Sequence, residues 1–484
     1  MPIADIEKLV ETLTALPNET DWLEFKQDRF EPEEFGQYVS ALANSAILAG
    51  QRCAYIIYGV EDGTHDLVGT NIDLQRERIG GEAFVNWLAR MLDPRLVITI
   101  EAGVCRGRRV VVAEIDPAYA RPVKFKKVAY IRNGPHQRPL ADFPEKERAL
   151  WLATSRFTFE ASSAVRNVAP DRVLELFEID ALFELLREPK PAGDAQILDR
   201  LVREGLIQSD LQGGFDVANL GMLAFGRNLN DLPALARKTV RIIRYRGNDK
   251  LDTLEEHAPA VGYAAGFTTL LRTMLAAVPA HEEVIGGVRR SVPMIPEIAL
   301  REVLANALIH QDVTTMGAGP IVEVYADRVE VTNPGEPLVE EDRLLDAPPR
   351  SRNEKLASLM RRLGICEERG SGIDKIVASI ERLALPPPRF RATADSTIVT
   401  MFSERPFARM TADERIRACY QHACLRYAAA DPMSNTSLRE RLGLDDGQYP
   451  LASQVIKAAI DAGRIKPAAA DQGKRNARYI PFWA

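Results

Sequence analysis

Between Phe35 and Ala46 the apolar residues Phe35, Tyr38, Val39, Leu42, Ala43 and Ala46 return at helical spacing, which predicts a helix there. The next run, CAYIIYGVEDG, is β-rich and ends in an acidic turn at Glu61, Asp62 and Gly63. Two further strand-like runs, RRVVVAEID and KVAYIRNG, follow, so residues 1–150 read as one α+β domain. Residues 160–294 are helix-rich, with one strand expected in KTVRIIRYRG, and read as a connecting region. Pro296 opens a helix at a favoured first position, running to about Gln311. A hairpin-like pair, PIVEVYAD and RVEVTNPG, comes next, then a Pro-, Asp- and Arg-rich segment, a helix into CEERGSGIDKI and a strand near DSTIVTMF. These elements set off a domain at 295–406. The remainder, 411–484, alternates short helices and turns, TSLRERLGL and PLASQVIKAAIDAGRI, before a basic loop and RYIPFWA. Helix, turn, helix and basic hairpin form the pattern of a winged helix-turn-helix.

The length, 484 residues, agrees with a multidomain α+β protein of roughly three domains. With 46% hydrophobic and 27% charged residues, the chain is an ordinary globular one. A net charge of −6 means that any contact with nucleic acid must come from local basic patches. One such patch is RPVKFKKVAYIR, where Lys124, Lys126, Lys127 and Arg132 surround Phe125 and Tyr130; a solvated strand face is the plain alternative. The five cysteines are an odd number without a Cys-x-x-Cys pair or zinc-ligand histidines, and read as reduced thiols. The N-terminus is amphipathic and acidic rather than signal-like, and the most apolar later stretch is broken by Arg272. No membrane span and a cytoplasmic location are therefore expected.

Chemistry concentrates first in ETDWLEFK. Read as a strand, DWLEFK puts Trp22, Glu24 and Lys26 on one face and Leu23 and Phe25 on the core face, so the charges are expected on display. Glu19 stands just before the strand and Asp62 in the turn after the next one. Three carboxylates converging without histidine or cysteine suit Mg²⁺ or Mn²⁺, with Lys26 as a point charge for phosphate: the parts of phosphodiester hydrolysis. A surface strand with a Glu–Lys pair explains the same spacing. A second stripe lies in PEIALREVLANALIHQD, where Glu302, Asn306 and His310 stand four apart beside an apolar face, followed by the glycine turns of VEVTNPG and ERGSGIDKI. Backbone N–H groups and a helix N-terminus there can hold phosphate.

ETDWLEFK, the helix YVSALANS and the run YIIYGVEDGTHDLVGT together resemble the Schlafen AlbA-type domain over roughly the first 140 residues. The resemblance implies a nucleic-acid-binding domain, and in its nuclease members, which cut transfer and ribosomal RNA, metal-binding acids at Glu19, Glu24 and Asp62 with a lysine at Lys26. The chain departs in having Glu61 for the first acid of the turn and no Gly-Gly before the strand. One lobe per chain, where the Schlafen nuclease core pairs two, implies a homo-oligomer, at least a dimer, and the family also implies a role in phage defence.

The stretch 295–406 is similar to the GHKL-type ATP-binding α/β sandwich found beside such domains. That implies ATP as ligand, Glu302 as general base, Asn306 as Mg²⁺ ligand, His310 near the phosphates, Gly335 in the adenine-side loop and Gly370 and Gly372 in the phosphate loop. TNPG replaces the usual Asp-x-Gly-x-Gly turn, so binding is expected ahead of hydrolysis. In the tail, Gln454 and Lys457 are candidates to reach bases, and Lys474, Arg475 and Arg478 to contact phosphate. Because three acids and a lysine are more than gripping DNA needs, the expected function is an ATP-controlled, metal-dependent endoribonuclease acting on tRNA-like or single-stranded substrate; the alternative is an ATP-responsive DNA-binding transcriptional regulator without nuclease activity.

Overall fold

The computed structural model describes the whole chain except residues 1–2, 4, 18–19, 157, 286–287, 349, 368–370, 470–472 and 474–476. Glu19, Gly370, Lys474 and Arg475 lie outside the described residues. Two compact units divide the chain, one of residues 1–173 and 194–219, the other of 174–193 and 220–484.

The first unit opens with α1 (Ile6–Thr14), β1 (Leu23–Lys26), α2 (Pro32–Leu48) and β2 (Ala54–Tyr58). After α3 (Phe84–Met91) come β3 (Leu92–Asp93), β4 (Ile98–Cys105), β5 (Arg108–Ile115), β6 (Lys124–Phe125), β7 (Val128–Asn133) and β8 (His136–Pro139). One sheet has the order β1–β2–β5–β4 and the other β8–β7–β6–β3. Only β1 and β2 run parallel, because α2 carries the chain back between them. The helix serves both sheets. Its Phe35, Val39, Leu42 and Ala43 belong to the apolar core with Leu23, Phe25 and Ile57. Its polar residues are equally buried, because they bond to the second sheet and the loop leading into it: Ser40 Oγ and Asn44 Nδ2 donate to Val123 O, at 2.7 and 2.9 Å, and Ser45 Oγ accepts from Arg132 N. Gly36 is required where Phe125 presses on the helix, since a Cβ there would stand 2.2 Å from the ring. A three-stranded sheet of β9 (Ser163–Val168), β10 (Ile207–Ser209) and β11 (Phe215–Ala218), in the order β9–β11–β10, completes the unit.

The second unit is built on a six-stranded sheet. Its elements are β12 (Arg241–Tyr245), β13 (Thr253–His257), α4 (Tyr263–Ala277), α5 (Glu297–His310), β14 (Ile321–Val324), β15 (Arg328–Pro334), α6 (Glu354–Arg362), α7 (Gly372–Arg382), β16 (Arg389–Ala392) and β17 (Ser396–Phe402). The strand order is β13–β12–β14–β15–β17–β16, with β12 and β14 parallel. The stretch 160–294 is thus more than the connector expected: KTVRIIRYRG supplies β12, whose Ile242 and Ile243 pair with Val322 and Glu323 of β14, and residues 163–218 give the first unit a sheet. Such long-range pairing leaves no local signature beyond the β-branched run itself. Helix α5 is apolar almost all round, with Leu300, Val303, Leu304 and Leu308 buried. The buried amide of Asn353 donates to Ile309 O and Gln311 O and so satisfies its last carbonyls.

From 411 on, α8 (Ala412–Ala428), α9 (Asn435–Arg441) and α10 (Tyr449–Asp461) share a small core of Ala418, Cys419, Leu438, Val455 and Ile456. A two-stranded antiparallel ladder of β18 (Ile465–Pro467) and β19 (Tyr479–Pro481) follows. Thr411 and Ser434 cap the first two helices with reciprocal side-chain bonds, which fixes where each begins. All five cysteines are buried and free, and no described helix is long and apolar enough to cross a membrane.

Candidate functional site

On β1 the alternation holds but the display does not. Trp22, Leu23, Glu24 and Phe25 are all buried, Glu24 at 4% exposure. The expectation of exposed charges fails because α2 and β7 cover the second face of the strand. Glu24 is clamped there: Oε1 lies 2.8 Å from Lys26 Nζ and Oε2 accepts from Arg132 Nη1 at 2.7 Å. Lys26 also donates to Tyr38 Oη at 3.2 Å, sits over the Tyr38 ring at 4.5 Å and approaches Glu34 at 3.5 Å. Burial pulls the Lys26 ammonium down, but the bond and charge of Glu24 outweigh it and hold the group above its ordinary value. Burial and the Glu24 charge raise the Tyr38 hydroxyl. Arg132, read from sequence as a nucleic-acid contact, is 1% exposed and serves this pair instead; a strand pattern cannot show that a helix will cover one of its arginines. Lys124, Lys126 and Lys127 remain exposed on the β6–β7 turn, where Lys126 and Lys127 adopt positive φ and Lys126 also pairs with Glu33.

Asp62 is exposed in its turn, which Glu61 fixes by accepting from Gln27 Nε2 (3.0 Å) and Thr64 Oγ1 (2.9 Å). Among the described residues, the group of three ligand side chains close enough to share an ion is Glu7, Glu11 and Cys105, which includes neither Glu24 nor Asp62. A divalent ion at Glu24 has to compete with two cations already on its two oxygens. The described part of this set therefore fits an internal ion-pair cluster better than a metal centre.

In the second unit the polar stripe of α5 borders a cavity of about 250 Å³. Glu302, Asn306 and His310 line it together with Gly372 at the start of α7, Asn333 of β15 and the apolar Val331, Leu338, Ile376 and Val399. Glu302 is 2% exposed, its Oε1 held by Arg301 Nη1 at 2.5 Å. Gly372 brings α7 close to both acid and amide: a Cβ there would lie 3.2 Å from Asn306 Nδ2 and 3.3 Å from Glu302 Oε2. Gly335 does not line the cavity. It makes the turn between Asn333 and Glu336, which do, with φ +100° and its N–H donating to Asp395 O at 2.7 Å.

Three arginines that the pattern reading passed over, Arg350, Arg352 and Arg361, complete the wall. Their signal was the basic run from PPRSRNEK to MRRLG, unreadable until α6 is packed beside α5. Burial first, then Arg352 and Arg361, push His310 down to about 4, so it is a neutral imidazole at pH 7. Burial raises Asp374, in the first turn of α7, to about 6 and Cys366, which also lines the cavity, to about 11. A cavity with an apolar wall, arginines and a helix N-terminus suits a flat apolar group carrying anionic charge. In the tail, α10 exposes Gln454 and Lys457 one turn apart, and Arg478, also exposed, donates to Pro432 O at 3.3 Å.

Residues 19–141 match the family model "Schlafen, AlbA_2". Residues 317–401 match the one described as "Putative ATP-dependent DNA helicase recG C-terminal". The two matches speak for a nucleic-acid-related protein with an ATPase-like, nucleotide-binding domain. Each spans less than half of the chain, and the second begins after Glu302, Asn306 and His310, which α5 brings to the matched sheet. No curated protein matches the chain. Among solved structures, the DIP2311 protein from Corynebacterium diphtheriae is similar at 20% identity and a TM-score of 0.42, covering 93% of this chain and 92% of that one. The N-terminal domain of a protein from Nitrosomonas europaea described as "Putative ATP-dependent DNA Helicase RecG-related Protein" is similar over 28% of this chain and 89% of its own, at 20% identity and a TM-score of 0.21. At such scores neither likeness carries weight for fold or function.

Proposed function

We propose that this protein binds nucleic acid under the control of a purine nucleotide triphosphate held in the second unit. The cavity carries this reading. It joins an apolar slot to Asn306, three arginines and the N-terminus of α7, the chemistry that a base and a phosphate chain require. At about 250 Å³ it lies just below the usual range for small-molecule pockets, about 300–1,000 Å³, which fits an enclosed base with phosphates along the open mouth. Asn306 and Glu302 supply the oxygens that Mg²⁺ prefers. Nucleic acid is gripped by the exposed lysines of the β6–β7 turn and by the tail, where Gln454 and Lys457 of α10 face bases in a winged-helix docking.

To test it, labelled duplex DNA and transfer RNA are titrated with the protein, with and without Mg·ATP. A coupling of about 1–3 kcal/mol, roughly 5- to 150-fold in affinity, is the expected size. Equal affinity in both conditions, with ATP demonstrably bound, overturns the control; no binding to either nucleic acid overturns the reading as a whole.

A second reading, metal-dependent cutting of RNA, is favoured by one observation, a partly exposed Lys26 at 2.8 Å from a carboxylate. Because Glu24 already spends both oxygens on Lys26 and Arg132, binding without cutting stands ahead. Transfer RNA left intact by wild type in Mn²⁺ removes the cutting; RNA cut by wild type but not by Glu24→Gln establishes it.

A further inference from the structure

One wall of the cavity is the segment between β15 and α6, through Leu338, Leu344, Ala347 and Arg350. Its described residues form a 3₁₀ turn at Glu341–Arg343, whose Arg343 pairs with Asp346 at 2.5 Å and accepts at its carbonyl from Ala347 N. The sheet and α5 hold its ends, through Ala392 N on Glu341 and Ser351 Oγ on Ile309 O, and the C-terminal tail holds its middle. Asp342 gives its backbone carbonyl to the Tyr420 hydroxyl and its carboxylate to Arg464. The Arg343 guanidinium sits 5.2 Å from the Trp483 ring, whose Nε1 in turn donates to Tyr420 Oη at 3.1 Å, and Leu345 packs on the tail's core. A different element of the cavity is held in the same way. Gly372 and Ile376 of α7 line the cavity, and the other end of that helix places Glu381 against His422 and, at 3.5 Å, Arg441. Arg441, buried, also donates to Leu385 O at 3.0 Å, and Gln421 to Pro388 O at 2.9 Å.

From these two attachments we infer that the tail is the element that senses cavity occupancy: a nucleotide that moves the wall at Asp342 and Arg343 moves Tyr420, Arg464 and Trp483 with it, and one that tilts α7 moves His422 and Arg441. The inference rests on the nucleotide reading above and adds its direction of travel, from cavity wall to the α8–α10 bundle. Linkage makes it reciprocal, so whatever fixes the bundle also changes nucleotide affinity. The tail is then not a separately tethered DNA-binding head. It is one half of a two-part device whose other half is the cavity wall.

Hydrogen exchange on the full chain, with and without saturating Mg·ATP, tests this, read together with fluorescent-ATP affinity. In wild type, ATP is expected to slow exchange several-fold at 297–310 and 338–352 and also to change it across 412–461. In Arg464→Ala and in Trp483→Phe the change at the cavity persists while the response across 412–461 shrinks, and ATP affinity shifts several-fold. Glu381→Gln, which loosens the α7 attachment, shrinks the response as well. Protection confined to the cavity in wild type overturns the inference and leaves the nucleotide reading standing. Absence of any ATP-dependent change sinks both. An unchanged tail response in all three variants shows that the named contacts do not carry the signal and overturns the inference as well.

Discussion

The two polar clusters of this chain solve the same problem in opposite ways. Around Glu24 the charges find each other: a carboxylate, an ammonium, a guanidinium and the nearby Glu34 come together with little left over for a ligand. Around Asn306 the polar groups of α5 face a void whose far wall is apolar and whose flanks carry arginines. Charges that compensate one another act on the fold, whereas polar groups set around an empty space act on what enters it. Sequence spacing marked both clusters as candidate chemistry, the first for a metal and the second for a nucleotide; packing sets the two apart.

The sharpest break of this contrast is Arg132→Met. If the first cluster is structural, removing one cation leaves the buried carboxylate with Lys26 alone, and the cost is at most about 3–5 kcal/mol. Chemical denaturation should show the transition of the first unit falling accordingly while ATP binding by the second is untouched. Glu24→Gln combined with Arg132→Met should recover part of the loss, since the buried carboxylate is gone and the partly exposed Lys26 keeps Glu34 at 3.5 Å. A small loss in the single variant would mean that Glu24 is not the anchor described and would return it to the pool of candidate metal ligands.

Asn306→Ala is the counterpart in the second cluster. It removes a half-buried amide from the cavity wall, so stability should change little while ATP affinity drops by roughly tenfold, about 1.4 kcal/mol. Calorimetric titration measures it directly. Gly372→Val goes further, because its Cβ would crowd Asn306 and Glu302 at the mouth of the site; binding should be abolished with the fold retained. A variant that unfolds rather than failing to bind would give the second cluster the structural role argued here for the first.

What the sequence disclosed and what it hid follow the same division. Helical and strand periodicities announced α2, β2, α5 and the β14–β15 hairpin, because each buries its own face and local pattern reports that. The sheet partnership of β12 with β14 was hidden, since β12 lies about 80 residues earlier and only pairing reveals it. At the sites, Glu302, Asn306 and His310 were legible as a stripe, whereas Arg352 and Arg361 reach the cavity through a loop and another helix. Arg132 was visible as a positive charge but not as buried. A strand pattern tells which residues share a face; it does not tell what will be laid across that face.

Proton linkage offers a finer test of the second cluster. His310 takes its proton near pH 6.5 in the unfolded chain and only near 4 when folded, so below about 6.5 the unfolded chain binds more protons and stability is lost as pH falls. Asp374 has the opposite sign: folded, it keeps its proton up to about 6, against 3.8 unfolded, and its contribution is lost as pH rises through that window. His310→Gln should therefore gain on wild type by a few degrees of melting temperature between pH 4 and 6, and Asp374→Asn should gain above pH 6. Parallel profiles for wild type and both variants would mean that folding shifts neither group.

The smallest effect belongs to the exposed lysines, where neither compensation nor a void is at work. Lys124 and Lys127 stand on a turn that positive φ at Lys126 and Lys127 holds sharply bent. If they touch phosphate, each contact releases about one counterion, so replacing either by alanine should reduce the salt slope of nucleic-acid binding by about 1 and weaken every sequence alike. Arg132→Met should leave that slope alone, because its guanidinium is turned inward to Glu24. A slope that responds to Arg132 and not to the lysines would show the buried cluster opening to the ligand, and the boundary drawn between a structural and a functional cluster would have to move.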